Sequence, residues 1–429
     1  MLTLTPAGRS LDPATLTTPG GFCWWYGDVI DADGNGVVVI GSFGLPFLAR
    51  RGELEVPQQR PSLNVAVYER GICTFYALQE FAAATGADAA EAVLQETCSR
   101  LDGDPHTGSG ARWRFGATVL RYDVVDGEGR FGADLDLTLP VGRIRGRIAI
   151  AGPRRDPAGH GCHTLGTPNA VPFSTATGAG QLTAADRSGV VVSPRATGEA
   201  LAHDWSPQLG PSIGRATLAL NDRDIVIEGS GYHDRNGALL PLTDQGIAWW
   251  LWCRADVDGV GGVGGRESRV VYALWPDRGD GEVGDVCAVG VVTDHTGATR
   301  AVNVEVDPGP RHRTWLGMGE VRRLRVTERC PDGTRRPFLS ADVAARVDDG
   351  PFYLRHTVRA GIDAAAAHTT GFLEVVDVRR LDARWQRPFV HMRVTPTTTA
   401  AASLWHPLFA GPRAGRVARQ LRWLLGVRS

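Results

Sequence analysis

The sequence predicts an all-β protein of the sandwich or barrel type, and three observations predict it. The hydrophobic pattern has period two, short runs of it recur along the chain, and turn-forming pairs separate many of them. From Phe131 to Leu139 the odd positions are Phe, Ala, Leu, Leu and Leu, while Asp134, Asp136 and Thr138 face the other way. From Gly142 to Ile150 the residues Ile144, Ile148 and Ile150 share one face and Arg143, Arg145 and Arg147 the other. Such alternation buries one face of a strand and leaves its opposite face in water. Similar runs cover Gly36–Gly41, Ser62–Glu69, Arg215–Leu220, Asp224–Glu228, Arg269–Leu274, Ala301–Val306, Val321–Val326, Phe352–Arg359 and Gly371–Val378. Turn pairs such as Asp126-Gly127, Asp332-Gly333 and Asp349-Gly350 lie between them. Many short strands punctuated in this way exclude a doubly wound parallel sheet.

Helices are few. Ala90, Val93, Leu94, Thr97, Cys98 and Leu101 follow helical spacing, with Asp88 and Glu91 placed as an N-cap and its reciprocal carboxylate. Gly152–Leu209 is rich in Gly, Pro, Ser and Thr and reads as long loops over one domain. The expected organisation is an N-terminal β domain over 1–222, a C-terminal β domain over 223–411, and a C-terminal helix over 412–429. In that last segment Arg413, Arg416, Arg419 and Arg422 recur at spacing three beside Ala414, Val417, Ala418, Leu421, Leu424 and Leu425. A basic amphipathic helix of this kind can lie on a membrane surface or dock on its own domain, and both readings stay open.

The 429 residues carry 46 basic and 47 acidic side chains, a formal net charge of −1, so no basic excess points to nucleic acid. All the basic residues are Arg. A chain without Lys has no Schiff-base lysine for pyridoxal phosphate or aldolase chemistry, and no P-loop. The seven Cys are dispersed with no CxxC pair, as expected of reduced thiols in a cytosolic protein. The first twenty residues lack the apolar core of a signal peptide, and no apolar run reaches the roughly 18 residues of a membrane span. The expected location is cytoplasmic, with attachment to the inner face of the membrane as the further option.

Four motifs lack the context their chemistry needs. Asp31-Ala-Asp33-Gly-Asn35-Gly36 opens like a calcium loop, but Ser42 stands where the bidentate Glu belongs, so a hairpin turn is expected. Gly259-Val-Gly261-Gly-Val-Gly264 is followed by a strand and not by the helix that would seat a pyrophosphate. Gly210-Pro-Ser212-Ile-Gly214 likewise runs into a strand, against a nucleophile elbow. His160-Gly-Cys162-His163 has no second half at zinc-like spacing, so no metal site is expected.

The remaining constellation is Gly229-Ser-Gly231-Tyr232-His233-Asp234-Arg235-Asn236-Gly237. As a continuation of the Asp224–Glu228 strand it puts Tyr232, Asp234 and Asn236 on one face, and His233 and Arg235 on the other. His203-Asp-Trp205-Ser-Pro207 lies upstream and Trp249-Trp250-Leu-Trp252 downstream. A carboxyl among indoles is desolvated, which raises its pKa and can keep it protonated near neutrality, as a general acid requires. The alternative, that Tyr232 and Asp234 only satisfy turn backbone, stays open on these residues alone.

These residues resemble the carotenoid 1,2-hydratase (hydroxyneurosporene synthase) family of the lipocalin-like superfamily. The resemblance begins at Trp24-Trp25-Tyr26-Gly27-Asp28 and runs through Asn64-Val-Ala-Val-Tyr68 and His203-Asp-Trp205-Ser-Pro207. It is best over Gly231–Gly237, Pro241-Leu242 and Trp250-Leu-Trp252-Cys-Arg254, and ends at Pro351-Phe352-Tyr353-Leu-Arg355, His368 and Pro388–Arg393. It implies two lipocalin-like β domains packed side by side, with a pocket near their junction. The implied reaction is cofactor-free addition of water to the terminal C1–C2 double bond of an acyclic carotenoid or related terpenoid. Asp234 would protonate the alkene, Tyr232 would orient the acid or the water, and Trp205 would offer an indole face to the cation. Trp25, Tyr26, Asn236, Trp250 and Trp252 are the expected substrate contacts, and the partner is an apolar small molecule, which the C-terminal helix would collect from a membrane surface. Where the family has His after the aspartate this chain has Arg235; pointing inward it would lower the pKa of Asp234, but alternation turns it away. A cyclase or pericyclase acting on a polyene or polyketide, and a non-catalytic isoprenoid or lipid binder, are the rival readings on the same fold.

Overall fold

The computed structural model describes residues 2–4, 14–47, 54–82, 110–155, 163–164, 203–258, 265–279, 281–365, 368–381, 383–397, 403–412, 415 and 420. Strands β1 (Leu2–Leu4), β2 (Phe22–Ile30), β3 (Gly36–Phe43), β4 (Pro61–Glu69) and β5 (Ile72–Glu80) come first. They are followed by β6 (Gly110–Phe115), β7 (Thr118–Val125), β8 (Glu128–Leu139), β9 (Gly142–Pro153) and β10 (His163–Thr164). Next are β11 (His203–Pro207), β12 (Ser212–Leu220) and β13 (Arg223–Ala238). A second series holds β14 (Ile247–Asp258), β15 (Arg266–Gly279), β16 (Glu282–Val283), β17 (Cys287–Thr293), β18 (Thr299–Asp307), β19 (His312–Arg313) and β20 (Gly319–Glu320). It ends with β21 (Arg323–Arg329), β22 (Arg335–Asp349), β23 (Tyr353–Gly361), β24 (Thr369–Asp377) and β25 (Val394–Thr395). The described α-helices are short: α1 (Ala14–Thr17), α2 (Arg387–His391) and α3 (His406–Phe409).

The first sheet runs β25-β5-β4-β3-β2-β13-β12-β9-β8-β7-β6, with β11 added to β13. Its hairpins are tight where the sequence allows positive φ. Asp126 (φ 50°) and Gly127 (φ 80°) join β7 to β8, and Arg70 (φ 51°) and Gly71 (φ 72°) join β4 to β5. The sheet curls on itself, so Trp113 and Phe115 of β6 meet Trp25 and Phe43 from β2 and β3, with ring centroids 4.3 and 5.7 Å apart. That interior holds the odd-numbered residues of Phe131–Leu139 together with Ile144, Ile148 and Ile150.

The second sheet closes into a barrel, because β14 pairs with both β24 and β15. Trp249, Leu251, Cys253 and Ala255 of β14 point into it and pack with Val271, Leu324, Phe338, Leu354 and Val375. Trp250, Trp252 and Arg254 point outward yet are buried, because the first sheet covers that face. Both faces of β14 are therefore dry, which is why Ile247–Cys253 is apolar without a break.

A third apolar cluster fills the space between the two sheets, with Trp24, Tyr26, Val38, Tyr68 and Tyr232 from one side and Trp250, Trp252, Tyr272, Val289 and Phe372 from the other. Polar ties cross it. Arg254 is paired with Asp28, both fully buried, and its Nη1 donates to Ser230 Oγ at 2.6 Å. Arg355 donates to the Tyr68 hydroxyl at 2.8 Å, and the Thr370 hydroxyl to the Asp31 carbonyl at 2.5 Å. The Trp-Trp-Tyr-Gly-Asp segment and the Trp-Leu-Trp-Cys-Arg segment are thus joined by a buried ion pair, whose desolvation only a close partner offsets.

The architecture is the expected all-β, lipocalin-like one, a curled sheet beside a closed barrel. The turn at residue 222, expected to divide the chain, instead joins β12 to β13 within one sheet, and the passage to the barrel is 239–246. The helix expected around 90–101 lies outside the described residues. So does the C-terminal helix over 412–429, apart from Pro412, Gly415 and Gln420. Among the described residues no helix is long and apolar enough to cross a membrane.

Candidate active site

Strand β13 bears the acid. Its C-terminal half, Ser230–Ala238, is buried on both sides, between β2 and β11 in the sheet and between the two apolar interiors across it. Alternation along it sorts the side chains. His233 stacks on Phe131 at 4.3 Å inside the first sheet, and Arg235 is buried, its guanidinium 3.8 Å from Asp204. Tyr232, Asp234 and Asn236 face the barrel. Arg235 does not line the pocket that Asp234 lines, so the departure from the family pattern at that position leaves the acid undisturbed.

The Asp234 carboxyl accepts three hydrogen bonds. Trp205 Nε1 and the Tyr232 hydroxyl donate to Oδ2 at 2.9 and 2.8 Å, and Asn236 Nδ2 donates to Oδ1 at 3.0 Å. Trp205 is placed by β11, whose residue 205 pairs with Asn236 of β13. Burial pushes the Asp234 pKa up to about 7, against the lowering effect of the Trp205 and Tyr232 bonds, with the negative charges of Glu374 and Asp28 adding to the rise. Burial thus favours the protonated carboxyl far more than for an exposed aspartate.

Behind Asn236 the chain of polar groups continues. His203 Nε2 lies 3.2 Å from Asn236 Oδ1 and His203 Nδ1 3.2 Å from Gln245 Oε1, while Gln245 Nε2 donates to the Leu240 carbonyl at 3.0 Å. Burial lowers His203 to about 4 against its contacts with Asn236 and Gln245, so its imidazole is neutral at pH 7 and donates to only one of these two amide oxygens. An amide presents a donor and an acceptor on nearly equivalent sites. A half-turn of Asn236 therefore serves the protonated acid as well as the carboxylate.

In front of Asp234 lies a pocket of about 420 Å³ walled by Trp24, Tyr26, Ile40, Phe47, Asn236, Trp250, Trp252, Tyr272, Tyr353 and Glu374. A second, larger cavity of about 820 Å³ shares the walls Trp24, Ile40, Phe47 and Tyr353 and extends past Leu45, Leu78, Phe352 and Val390 toward Arg393. The two adjoin along these shared, mostly apolar walls; Asp234 and Glu374 lie in the first, and Asp348, Arg355 and Arg393 in the second.

Of the residues expected at the site, Tyr26, Asn236, Trp250 and Trp252 line the pocket with Asp234. Trp205 and Tyr232 grip the carboxyl but do not line the pocket. Trp25 is elsewhere. Next to Tyr26 on a strand it points the opposite way, into the first sheet against Trp113, and Trp24 takes the place expected for it. Trp24, Phe47, Tyr272, Tyr353 and Glu374 were not expected. Strict alternation along Trp24-Trp25-Tyr26 signals the first, whereas Tyr272, Tyr353 and Glu374 reach the site only through the closure of the barrel. Of the motifs set aside, Asp31 Oδ1 accepts from the Asp33 and Asn35 amides in a hairpin turn, and Ser212 donates to the Gly210 carbonyl within the sheet. The glycine run 259–264 and His160 and Cys162 lie outside the described residues. Among those described, no group of three or more His, Cys, Asp or Glu is placed to hold a metal.

Known proteins resemble this chain in both sequence and fold. The family model described as Carotenoid hydratase CrtC matches residues 171–402. The acyclic carotenoid 1,2-hydratase of Thiocapsa roseopersicina is 26% identical over 381 residues, which is 85% of this chain and 72% of that protein. Among solved structures, a Nitrosomonas europaea protein assigned as AttH has a TM-score of 0.51 at 14% identity, covering 87% of this chain and 100% of its own, and so shares the fold. Kievitone hydratase from Nectria haematococca gives a TM-score of 0.43 at 9% identity, covering 88% and 98%.

Proposed function

The chain belongs to the carotenoid hydratase family, and from that premise we propose that it hydrates the terminal C1–C2 double bond of an acyclic carotenoid or related terpenoid, using its own side chains alone. The observation that carries the reading is the buried Asp234 carboxyl, gripped by Trp205, Tyr232 and Asn236 and opening onto a mostly apolar cavity, where burial raises its pKa. Protonation of an isolated alkene needs an acid that is neutral when the substrate arrives, since a buried carboxylate has no proton to give.

Asp234 delivers its proton to C2, and the π pair forms the new C–H bond. The tertiary cation left at C1 is faced by the rings of Trp24, Tyr26, Trp250, Trp252 and Tyr272, whose π faces stabilise positive charge in a site without bulk water. Water then adds to C1 and loses a proton, giving the tertiary alcohol. Trp205 and Tyr232 act through the acid: both donate to Oδ2, so they aim Oδ1 and disperse the charge of the carboxylate left behind. Trp205 thus holds the acid, and the cation-facing role expected for its indole falls to the pocket walls. The long cavity accommodates the apolar chain while the reacting end lies beside Asp234.

Asp234→Asn tests the reading. The variant keeps the size and most hydrogen bonds of the acid and is expected to lose hydration by ~10²-fold or more; full activity would end the proposal. We place the protein on the cytoplasmic membrane surface, held by the basic segment 412–429. Flotation of the full chain with anionic vesicles, lost on deleting that segment, is the expected result, and unchanged flotation would remove the claim.

A further inference from the structure

The cavity holds a second carboxylate that the acid step does not use. Glu374 is the one acidic residue besides Asp234 among the walls of the acid pocket. On β24 it sits on the outward face with Phe372 and Val376, whereas Leu373 and Val375 point into the barrel. It is directly opposite Trp252 on β14 and Arg355 on β23. Both bonds from Arg355, Nε at 2.8 Å and Nη2 at 2.6 Å, fall on Glu374 Oε1. Oε2 has no partner among the described residues. A carboxylate fixed through one oxygen, with the other free beside an aromatic cavity, has the form of a base awaiting water.

We propose that Glu374 is the base of the reaction: its Oε2 accepts the proton of the water that attacks the cation, and its charge stabilises that cation. The inference rests on the hydratase reading above. The steps balance. The Asp234 O–H bond breaks as C2–H forms; a water lone pair forms the C1–O bond; the resulting oxonium loses its proton to Glu374 Oε2. The enzyme is left with Asp234 ionised and Glu374 protonated, and solvent water carries the proton back once the alcohol leaves. Separate groups for the two transfers explain why a buried carboxylate is kept on an otherwise apolar face, where an ion pair costs more than apolar packing would.

The arrangement also explains the neighbouring tyrosines. Arg355 lies 5.6 Å from the ring of Tyr26 and 5.3 Å from that of Tyr353. Both rings wall the same pocket. Arg355 is thus held between aromatic faces beside Glu374, and it also lines the larger cavity.

Two measurements on the full-length protein test the inference. In Glu374→Gln, kcat of hydration is expected to fall by ~10²-fold or more with KM little changed, and in Glu374→Gly added formate restores part of the loss. An unchanged kcat in the Gln variant, or a loss seen only in KM, overturns the proposal. The second needs no turnover. N,N-dimethyldodecylamine, whose tertiary ammonium stands in for the tertiary cation, is expected to bind the wild type about tenfold or more tighter than dodecane-length neutral alcohol. Measured below pH 6, where Asp234 is mostly protonated, Glu374→Gln is expected to lose that preference while Asp234→Asn keeps it. Equal preference in the Gln variant also overturns the proposal. If no carotenoid is hydrated by the wild type yet the Glu374-dependent preference persists, the substrate assignment fails and the cation-stabilising role of Glu374 stands.

Discussion

At the scale of single residues the proposed reaction depends on keeping one carboxyl protonated in a dry place. Because burial raises Asp234 to about 7, the competent acid is the form present below that pH, and kcat is expected to fall as pH rises through about 7. A pH–rate profile checks this; a flat profile between pH 6 and pH 8 would contradict it. Tyr232 and Trp205 work against burial, since hydrogen bonds to the carboxylate favour ionisation. Tyr232→Phe is therefore expected to move the alkaline limb to higher pH while lowering the maximal rate, and a limb moved to lower pH would refute the hydrogen-bond assignment. Asp234→Asn removes an ionisable group whose folded-state pKa is raised. Such a group weakens the fold as pH rises from the unfolded pKa near 4 through the folded value, and the loss is complete above it. The variant is thus expected to melt no lower than wild type at pH 8, by calorimetry, and to gain relative to its own difference at pH 4. Inactivity with undiminished stability is the mark of a group kept for chemistry.

Among the elements, β2 and β13 decide which side chains face the pocket. Trp24 and Trp25 are adjacent in sequence and lie on opposite faces of β2, one in the pocket and one against Trp113. Trp25→Ala is expected to cost ~3–5 kcal/mol of stability by opening a cavity in the first sheet. Trp24→Ala is expected to act mainly on KM, with a smaller loss in denaturant unfolding; the reverse order would mean that the faces of β2 are misassigned. The period-two signal made most strands legible, and along β13 it also sorted Tyr232, Asp234 and Asn236 from His233 and Arg235. It could not supply Tyr272 or Glu374. These come from strands whose neighbours are fixed only when the barrel closes, so no local pattern in Arg269–Leu274 or Gly371–Val378 says what lies across from them. The division near residue 222 missed for a related reason. A polar Asn-Asp turn looks the same whether it joins two domains or two strands of one sheet, and pairing of β12 with β13 settles it.

For the whole molecule, the site exists because two β bodies share an apolar face. The curled sheet supplies the acid and its grip through β13 and β11, while the barrel supplies Trp250, Trp252, Tyr272 and Glu374. Asp28 and Arg254 pin the two together beside Tyr232, whose ring lies 6.0 Å from the guanidinium. Removing one partner leaves the other charge buried alone, so Asp28→Ala is expected to cost ~3–5 kcal/mol. A paired Asp28→Leu, Arg254→Met replacement is expected to recover most of that in urea unfolding; no recovery would show that the pair is not what the sites share.

The central claim is that this cavity adds water to the end of an acyclic polyene. Its most direct test is to express the chain in a bacterial host accumulating lycopene or neurosporene and to analyse the extracted pigments by mass and absorption. The account predicts a product heavier by one water with the polyene absorption unchanged, because the hydrated end double bond is outside the conjugated system, and predicts its disappearance with Asp234→Asn. Soluble, well-expressed protein that leaves both pigments untouched would contradict the substrate assignment, and a product formed equally by the Asn variant would contradict the mechanism.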